Sequence, residues 1–494
     1  MTFMVMFQGL IEALHPFTML MMVIGTVGGI IIGAIPGMSG SMGIILLLPL
    51  VYQLDRVPAM AVLAAMYCAS MYGGSIAAIL LKTPGTPSAS ATVLDGYPMA
   101  QNGKAGKALF TAVFASAIGG FLSGICLLLV APQLARVALN FQAPEFFALS
   151  IFGLTIMASA SGKSLVKGLI SGFMGLFLST VGIDIISGSL RYTFGAVRLM
   201  AGFNILPMLV GIFALAQVFS DLNNKAPQVK QETSSFGGML PTKDEFFRII
   251  VPILVGSIIG ISIGIIPGTG GAISCFLAYE VSRRFSKRKE LYGTGIVEGI
   301  AAPEASNNGT TGAALIPMLT LGIPGDTVTA VMLGAFMLIG IRPGPQLFIE
   351  NAQAVNTFFM AFIIMQLLML FFGLIGTKFW PKLLDVPRHI IMPIVMLFCF
   401  LGAYTLSNNT TDALIALAFG IVGFFMQKYD FPGAPMILGL ILGPLAEQNL
   451  NRALLISHND WTVFITRPIS GAFILATILS ILYTIYSVSR RKQA

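Results

Sequence analysis

Runs of apolar residues follow one another along almost the whole chain, and this pattern most narrows what it can fold into. They fall at about 17–35, 40–52, 57–81, 108–132, 144–160, 165–183 and 201–220. They resume at about 249–267, 270–282, 312–323, 328–341, 355–377, 389–406, 411–427, 434–446 and 468–488. A membrane-crossing helix needs about 20 apolar residues, so the longer runs suffice and the shorter ones read as part-spans. Of the 494 residues, 56% are apolar and 10% charged. An ordinary soluble domain carries roughly 25% charged residues, and this chain has too few to cover a surface facing water. The chain reads as an all-α polytopic membrane protein with roughly 11 to 14 spans or part-spans.

Several function classes fall away. Lys and Arg outnumber Asp and Glu by 28 to 20, a formal net charge of +8. The positives sit in short loops and at Arg490, Arg491 and Lys492, as orientation in a membrane requires, so nucleic acid is not an expected partner. Cys68, Cys126, Cys275 and Cys399 lie far apart in apolar surroundings without C-x-x-C spacing and read as small hydrophobes. With only His15, His389 and His458, no haem or zinc centre is expected, and no resident cofactor or fixed metal. SGKS at Ser161–Ser164 lacks the Gly of a phosphate-binding loop, because position 157 is Met157. No Ser/His/Asp, Cys/His or paired-carboxylate set stands out, so the chain is not read as an enzyme. No Lys or Arg precedes Arg56, so the first helix is expected to stay rather than be removed as a signal peptide.

The composition changes at the midpoint. Residues 221–248 hold Asp221, Lys225, Lys230, Glu232, Lys243, Asp244, Glu245 and Arg248 among Asn, Ser and Pro. This reads as a polar linker between one membrane repeat over 1–220 and a second over 249–494 with added C-terminal spans. The halves correspond in detail. GAIPGMSG from Gly33 and GIIPGTGG from Gly264 share a Pro-Gly break, displaced by 231 residues. LKTPGTPSASA from Leu81 and LGIPGDTVTAV from Leu321 share a second break, displaced by 240. Between the breaks lie MYGGSIA from Met71 and NNGTTGA from Asn307, displaced by 236. The same order of break, small polar stretch and break in both halves implies an internal duplication. Arg283, Arg284, Lys287, Arg288 and Lys289 follow the first break of half two, whereas Tyr52–Pro58 in half one has only Arg56, balanced by Asp55. That opposite sidedness favours two inverted structural repeats.

A break in hydrocarbon frees backbone N–H and C=O groups that protein, water or a ligand must satisfy. Pro-Gly-broken helices and re-entrant hairpins present half-helix ends, N-termini suited to an anion and C-terminal carbonyls suited to a small cation. Pro36, Gly37, Pro267 and Gly268 are the expected hinges. The substrate-binding candidates in half one are Ser70, Gly73, Gly74, Ser75, Lys82, Pro84, Gly85, Thr86 and Ser88. In half two they are Asn307, Asn308, Thr310, Thr311, Pro324, Gly325, Asp326 and Thr327. Hydroxyls, amides and backbone N–H groups can hold carboxylates without burying a full charge. The plainer alternative for each small residue is close helix packing. Lys82 is either a cationic anchor for an anionic substrate or a residue at a water-filled tip. Asp326 either helps hold a coupling cation, such as a transient Na+ near Asn308, or caps the helix after Pro324-Gly325. Glu298 and Glu304 flank Gly/Pro-rich text and are expected in aqueous loops, and Glu280 at the interface.

These motifs also carry a family resemblance. The segments are GAIPGMSG at Gly33, LLKTPGTPSASATVLDGYPMA from Leu80, GIIPGTGGAISCFLAYE from Gly264 and PEASNNGTTGAALIPMLTLGIPGDTVTAVMLGAFMLIGIRPGP from Pro303. In order, over most of residues 15–440, they resemble the large membrane subunit of the tripartite tricarboxylate transporters. The resemblance implies a binding-protein-dependent secondary active transporter, a symporter in the bacterial cytoplasmic (inner) membrane. It would import citrate-like tricarboxylates or other organic carboxylates on a Na+ or H+ gradient. It implies two protein partners, a small membrane subunit and a periplasmic substrate-binding protein. At Lys82 the family pattern more usually has Asn. The rival readings are an ion channel, a stand-alone carboxylate carrier and a membrane-embedded enzyme.

Overall fold

The computed structural model describes residues 3–160, 164–184, 188–223, 238, 240–268, 270–377, 379, 388–405 and 409–491. The first part of the chain folds into helices α1 (Phe3–Ala13), α2 (Pro16–Ala34), α3 (Gly40–Val51), α4 (Arg56–Leu81), α5 (Val93–Met99) and α6 (Ala105–Ala138). After α7 (Ala143–Ala160) and α8 (Leu165–Ser179) come α9 (Ile205–Leu209) and α10 (Ala216–Asn223). The second part contributes α11 (Lys243–Gly264), α12 (Gly270–Phe285), α13 (Val297–Leu321), α14 (Thr327–Leu338), α15 (Leu347–Glu350) and α16 (Ala352–Gly376). Helices over Arg388–Thr405, Thr410–Lys428, Gly433–Ile456, Val463–Thr466 and Pro468–Arg491 follow. Among the described residues, seven helices are long and apolar enough to cross a membrane, and seven shorter helices are apolar too. The protein is an all-α, multi-pass membrane protein.

The segment read as a polar linker is structured at both ends. Asp221, Leu222 and Asn223 complete α10, and Lys243–Arg248 open α11. There Thr242 and Glu245 satisfy each other's backbone N–H groups in a capping box. Residues 224–237 and 239, which include Lys225, Lys230 and Glu232, lie outside the described residues, as do Ser161–Lys163 of SGKS.

The chain divides into two compact units, and each draws on both sequence halves. Unit 1 comprises Met1–Ala135, Asp221–Ile266 and Gly270–Gly402; unit 2 comprises Arg136–Ser220, Pro267–Thr269 and Ala403–Ala494.

In unit 1, α2 packs along α4, and α11 along α13. Glycine stripes permit it. A Cβ added at Gly25, Gly29 or Gly33 of α2 would stand 2.4, 2.7 and 2.2 Å from the backbone oxygens of Val62, Met66 and Ser70. Added at Gly256 or Gly260 of α11, it would stand 2.1 and 2.4 Å from those of Ala302 and Ser306. Lipid tails give no hydrophobic drive between helices, so dispersion across such close contacts holds them together. α4 and α13 are thereby buried along almost their whole length.

Unit 2 packs α7 and α8 on Gly433–Ile456, and α7 also on Pro468–Arg491. Ion pairs lie within it. Arg191 meets Glu447 through two bonds of 2.6 and 3.1 Å, and Arg467 meets buried Glu145 at 2.5 Å.

Candidate functional site

The four Pro-Gly pairs of the repeated motifs lie between helices. Pro36-Gly37 separates α2 from α3, and Pro267-Gly268 separates α11 from α12. Pro84-Gly85 separates α4 from the 3-10 turn Pro87–Ser90, and Pro324-Gly325 separates α13 from α14. Proline lacks the amide a helix needs, and a left-handed glycine turns the chain away. Gly37 and Gly268, counterparts displaced by 231 residues, both take that conformation, with φ of 91° and 81°.

The small polar stretches between the breaks lie within α4 and α13, not in loops, and are buried. Here the halves meet. Ser75 Oγ donates to Glu304 Oε1 at 2.5 Å, and Cys68 Sγ donates to Thr311 Oγ1 at 3.5 Å. The 236-residue displacement makes Cys68 the counterpart of Glu304 and Ser75 that of Thr311, so one contact repeats the other.

The breaks cross over in the same reciprocal way. α3 packs against α14, and α12 against the 3-10 turn Pro87–Ser90. A Cβ added at Gly40 would lie 2.4 Å from Ser70 Oγ and 3.5 Å from Val328. Added at Gly271, it would lie 3.1 Å from Ser88 Cβ, 3.3 Å from Thr310 Oγ1 and 3.5 Å from Asn307 Oδ1. Gly40 and Gly271 are counterparts, as are Ser88 and Val328. Each half's α3 or α12 therefore starts beside its own polar stretch and the other half's second break. At the second crossing Ser88, Asn307 and Thr310 converge on the first turn of α12.

The hydrogen bonds there are incomplete. Asn307 Nδ2 donates to the Met71 carbonyl at 3.1 Å. Asn307 Oδ1 and both amide atoms of Asn308 have no partner among the described residues. The Thr310 and Thr311 hydroxyls donate to the carbonyls of Asn307 and Asn308 in their own helix, at 2.6 and 2.7 Å. Thr86 and Ser88 share a contact of 3.2 Å, and Ser88 also donates to Met71 Sδ. Leaving a buried amide unsatisfied costs about 1–3 kcal/mol, so a water or a bound group is the ordinary partner of such atoms.

Other sequence candidates do different work. Gly73, Gly74 and Gly85 bring backbones together: Gly85 N donates to the Gly74 carbonyl at 3.1 Å, and an added Cβ at Gly73 would lie 2.6 Å from the Ile30 oxygen. Ser70 Oγ donates to the Tyr67 carbonyl at 2.8 Å. Lys82 ends α4 in the left-handed conformation, φ 57°, exposed, with Nζ 5.5 Å from the centre of the Tyr97 ring. Its counterpart at a displacement of 240 is Gly322, which ends α13 with φ 71°. Asp326 caps α14: Oδ1 accepts from Thr329 N at 2.7 Å, and Oδ2 accepts from Tyr67 Oη at 2.6 Å. Pro324 and Gly325 are buried, while Pro84 and Thr327 are half-buried.

Glu298 and Glu304 correct the sequence reading. Neither is in an aqueous loop; both are buried in α13, whose prolines are tolerated because the helix is encased in protein. Glu298 pairs with Arg288 at 2.9 Å, with Arg248 at 3.9 Å. Glu304 accepts from Ser75, Thr92 and, at 2.9 Å, Ser116. Sequence reading also missed Asp95. It is fully buried and accepts from the backbone N–H groups of Gly293, Gly295 and Ile296 at 2.8–3.0 Å, and from Tyr279 Oη at 2.9 Å.

The pattern of the Tripartite tricarboxylate transporter TctA family matches residues 19–438. The chain belongs to that family. Its two halves of crossed, Pro-Gly-broken helices are thus those of a TctA-family transporter component. Two relatives come from Agrobacterium vitis. An uncharacterised 52.8 kDa protein in the TAR-I ttuC′ 3′ region is 35% identical over 485 residues, 98% of this chain and 96% of its own length. An uncharacterised protein in the TAR-II ttuC′ 3′ region is 36% identical over 232 residues, 46% of this chain and 96% of its own length.

Proposed function

We propose that this TctA-family chain is the large membrane subunit of a secondary carrier for citrate-like tricarboxylates or other organic carboxylates, driven by a Na+ or H+ gradient. In this reading it lies in a bacterial cytoplasmic membrane, joined by a small membrane subunit and supplied by a periplasmic binding protein. The two halves act as inverted repeats, their Pro-Gly breaks forming re-entrant hairpins around one substrate site. The observation that carries the reading is the convergence of Ser88, Asn307 and Thr310 on Gly271, with the buried amide of the next residue in α13, Asn308, left unpaired. The donor without a partner among the described residues is Asn308 Nδ2, and the Ser88 and Thr310 hydroxyls can turn from their present acceptors. Neutral donors of this kind favour an anion yet do not trap it as a fixed positive charge would. A channel would need a continuous polar pore, whereas these groups sit buried between packed helices.

Uptake by proteoliposomes that hold the chain and its small membrane subunit tests the reading, with the binding protein added outside and radiolabelled citrate competed by other di- and tricarboxylates. Saturable, gradient-dependent uptake that fails in Asn307→Ala is expected. An unsaturating ionic current favours a channel, and uptake independent of the binding protein favours a stand-alone carrier. If no carboxylate moves, the reading fails.

A further inference from the structure

Glu304 is fully buried in α13, and no described cation meets it. Its partners are three hydroxyls from three different segments: Ser75 in α4, Thr92 just before α5, and Ser116 in α6. A hydroxyl both donates and accepts, so these partners can satisfy a carboxylate and equally a neutral carboxylic acid. Three other buried carboxylates lack that freedom. Asp95 faces three backbone N–H groups, which only donate. Glu145 faces Arg467, and Glu298 faces Arg288. Each is held as an acceptor; Glu304 is built for two protonation states.

Its position gives that choice a consequence. Glu304, Asn307, Asn308 and Thr311 are spaced i, i+3, i+4 and i+7, so they share one face of α13 within two turns. Through Ser75 and Thr92, Glu304 also grips both ends of the second-break segment that carries Thr86 and Ser88. The titratable groups within electrostatic range are Tyr72 of α4 and Cys275 of α12. Cys68 and Tyr67 of α4, Tyr279 of α12 and Asp95 of α5 are further titratable groups on helices packed against α13. Among the cations on α6, α11 and α12, Arg248 of α11 meets Asp244 and Glu298, Arg283 of α12 meets Glu280, and Lys107 of α6 meets Glu245. An ionised Glu304 would repel an anion held at Asn307, Asn308 and Ser88, with little solvent between to screen it.

We propose that Glu304 is the proton-carrying residue of this transporter, protonated when the anionic substrate is bound and deprotonated when the substrate leaves. This rests on the carrier reading and names its coupling ion as H+. A proton from the side of higher concentration forms the O–H bond on a Glu304 carboxyl oxygen as substrate enters. The bond breaks to release the proton on the other side. No other covalent bond changes.

Infrared difference spectroscopy on the full chain in lipid, with no substrate added, tests the proton site by itself. Between mildly acidic and mildly alkaline buffer, the wild type should lose a protonated-carboxyl C=O band. That loss should be missing from Glu304→Gln, kept by Glu304→Asp and shifted in frequency by Ser116→Ala, which removes the donor to Oε2. The same difference spectrum in Glu304→Gln as in wild type overturns the proposal. In vesicles of the complete transporter, an imposed pH gradient should raise citrate accumulation by about tenfold per unit in the wild type. Glu304→Gln should show no stimulation, and Glu304→Asp stimulation with a displaced pH profile. Gradient stimulation retained by Glu304→Gln also overturns the proposal. If the wild type moves no carboxylate, the carrier reading fails instead, and the infrared result decides the proton site alone.

Discussion

Ser75 on α4 hydrogen-bonds Glu304 on α13 at 2.5 Å, and Thr311 on α13 meets Cys68 on α4 at 3.5 Å, so one inter-helix contact occurs twice with chemistries of unequal strength. Oxygen donors to a carboxyl group bind far more strongly than a thiol does to a hydroxyl. Ser75→Ala removes one of the two donors to Oε1 and should cost about 1–3 kcal/mol. Thr311→Val keeps the shape and loses the thiol contact and the hydroxyl's bond to the Asn308 carbonyl, which Ser123 still meets, so it should cost less, about 0.5–1.5 kcal/mol. The order of the melting temperatures of the two purified variants checks this; Thr311→Val melting below Ser75→Ala contradicts it.

Asp95 ties the segment 293–296 to α5 through three backbone amides and takes a further bond from Tyr279 of α12. Asp95→Asn keeps one acceptor oxygen but turns an NH2 group toward donors. All three backbone N–H groups reach Oδ1, which Asn retains, but they then meet a neutral oxygen while the NH2 crowds the Gly293 N–H. Destabilisation of about 1–2 kcal/mol should follow. Limited proteolysis should show faster cutting near Lys287–Glu290, just upstream, while a wild-type cleavage rate would show that the neutral oxygen holds the amides as well.

Lys82 sits in a left-handed conformation that costs a side chain with a Cβ roughly 1–2 kcal/mol. Its exposed contact with Tyr97 returns about 0.5–1 kcal/mol. The backbone effect is the larger, so Lys82→Gly should leave the melting temperature unchanged or higher and Lys82→Val should lower it. Asn tolerates this conformation well, so Lys82→Asn should keep the fold. Carboxylate competition profiles of Lys82→Asn then report on charge alone: a changed profile places the ammonium group in the path of the substrate, and an identical one makes it a surface residue.

What could be read ahead of the fold follows from how local each signal is. The Pro-Gly breaks are legible because two adjacent residues suffice to end a helix, and all four do so. The glycine stripes at 25, 29 and 33 and at 256, 260 and 264 repeat at helical spacing, so they too could be found by eye. Glu304 could not. Its donors come from positions 75, 92 and 116, and the Gly/Pro-rich text around it resembles a loop until burial makes it a helix. Asp95 is harder still, because backbone amides leave no mark in the side-chain sequence. Lys82 was conspicuous for its charge, yet its distinctive property is a backbone angle.

Gly85 and Gly325 are packed where no larger residue fits. A Cβ at Gly85 would stand 2.0 Å from the Gly33 carbonyl oxygen, and one at Gly325 would stand 2.6 Å from Ala314 Cβ. Backbone cannot yield as a side-chain tip can, so Gly85→Ala should destabilise by about 1–3 kcal/mol and Gly325→Ala by less. Gly238, with nothing within 4 Å, provides the control. Bulky replacements at Gly85 or Gly325 should abolish uptake while membrane insertion persists; normal uptake would show that the breaks can shift without cost.

Asn308 separates stability from function most cleanly. Its amide is fully buried and makes no hydrogen bond to the described residues, so in the empty protein it is a burden. Replacing an unsatisfied polar group with an apolar one of similar volume is neutral or stabilising. Asn308→Leu should therefore melt at or above the wild-type temperature. A bound carboxylate, however, would lose the donor it needs, and saturable uptake should fall to background. The two results together identify a group kept for its ligand at the expense of the fold. Uptake that survives in Asn308→Leu removes Asn308 from the site, and a large fall in melting temperature shows that the amide has a structural partner such as a buried water.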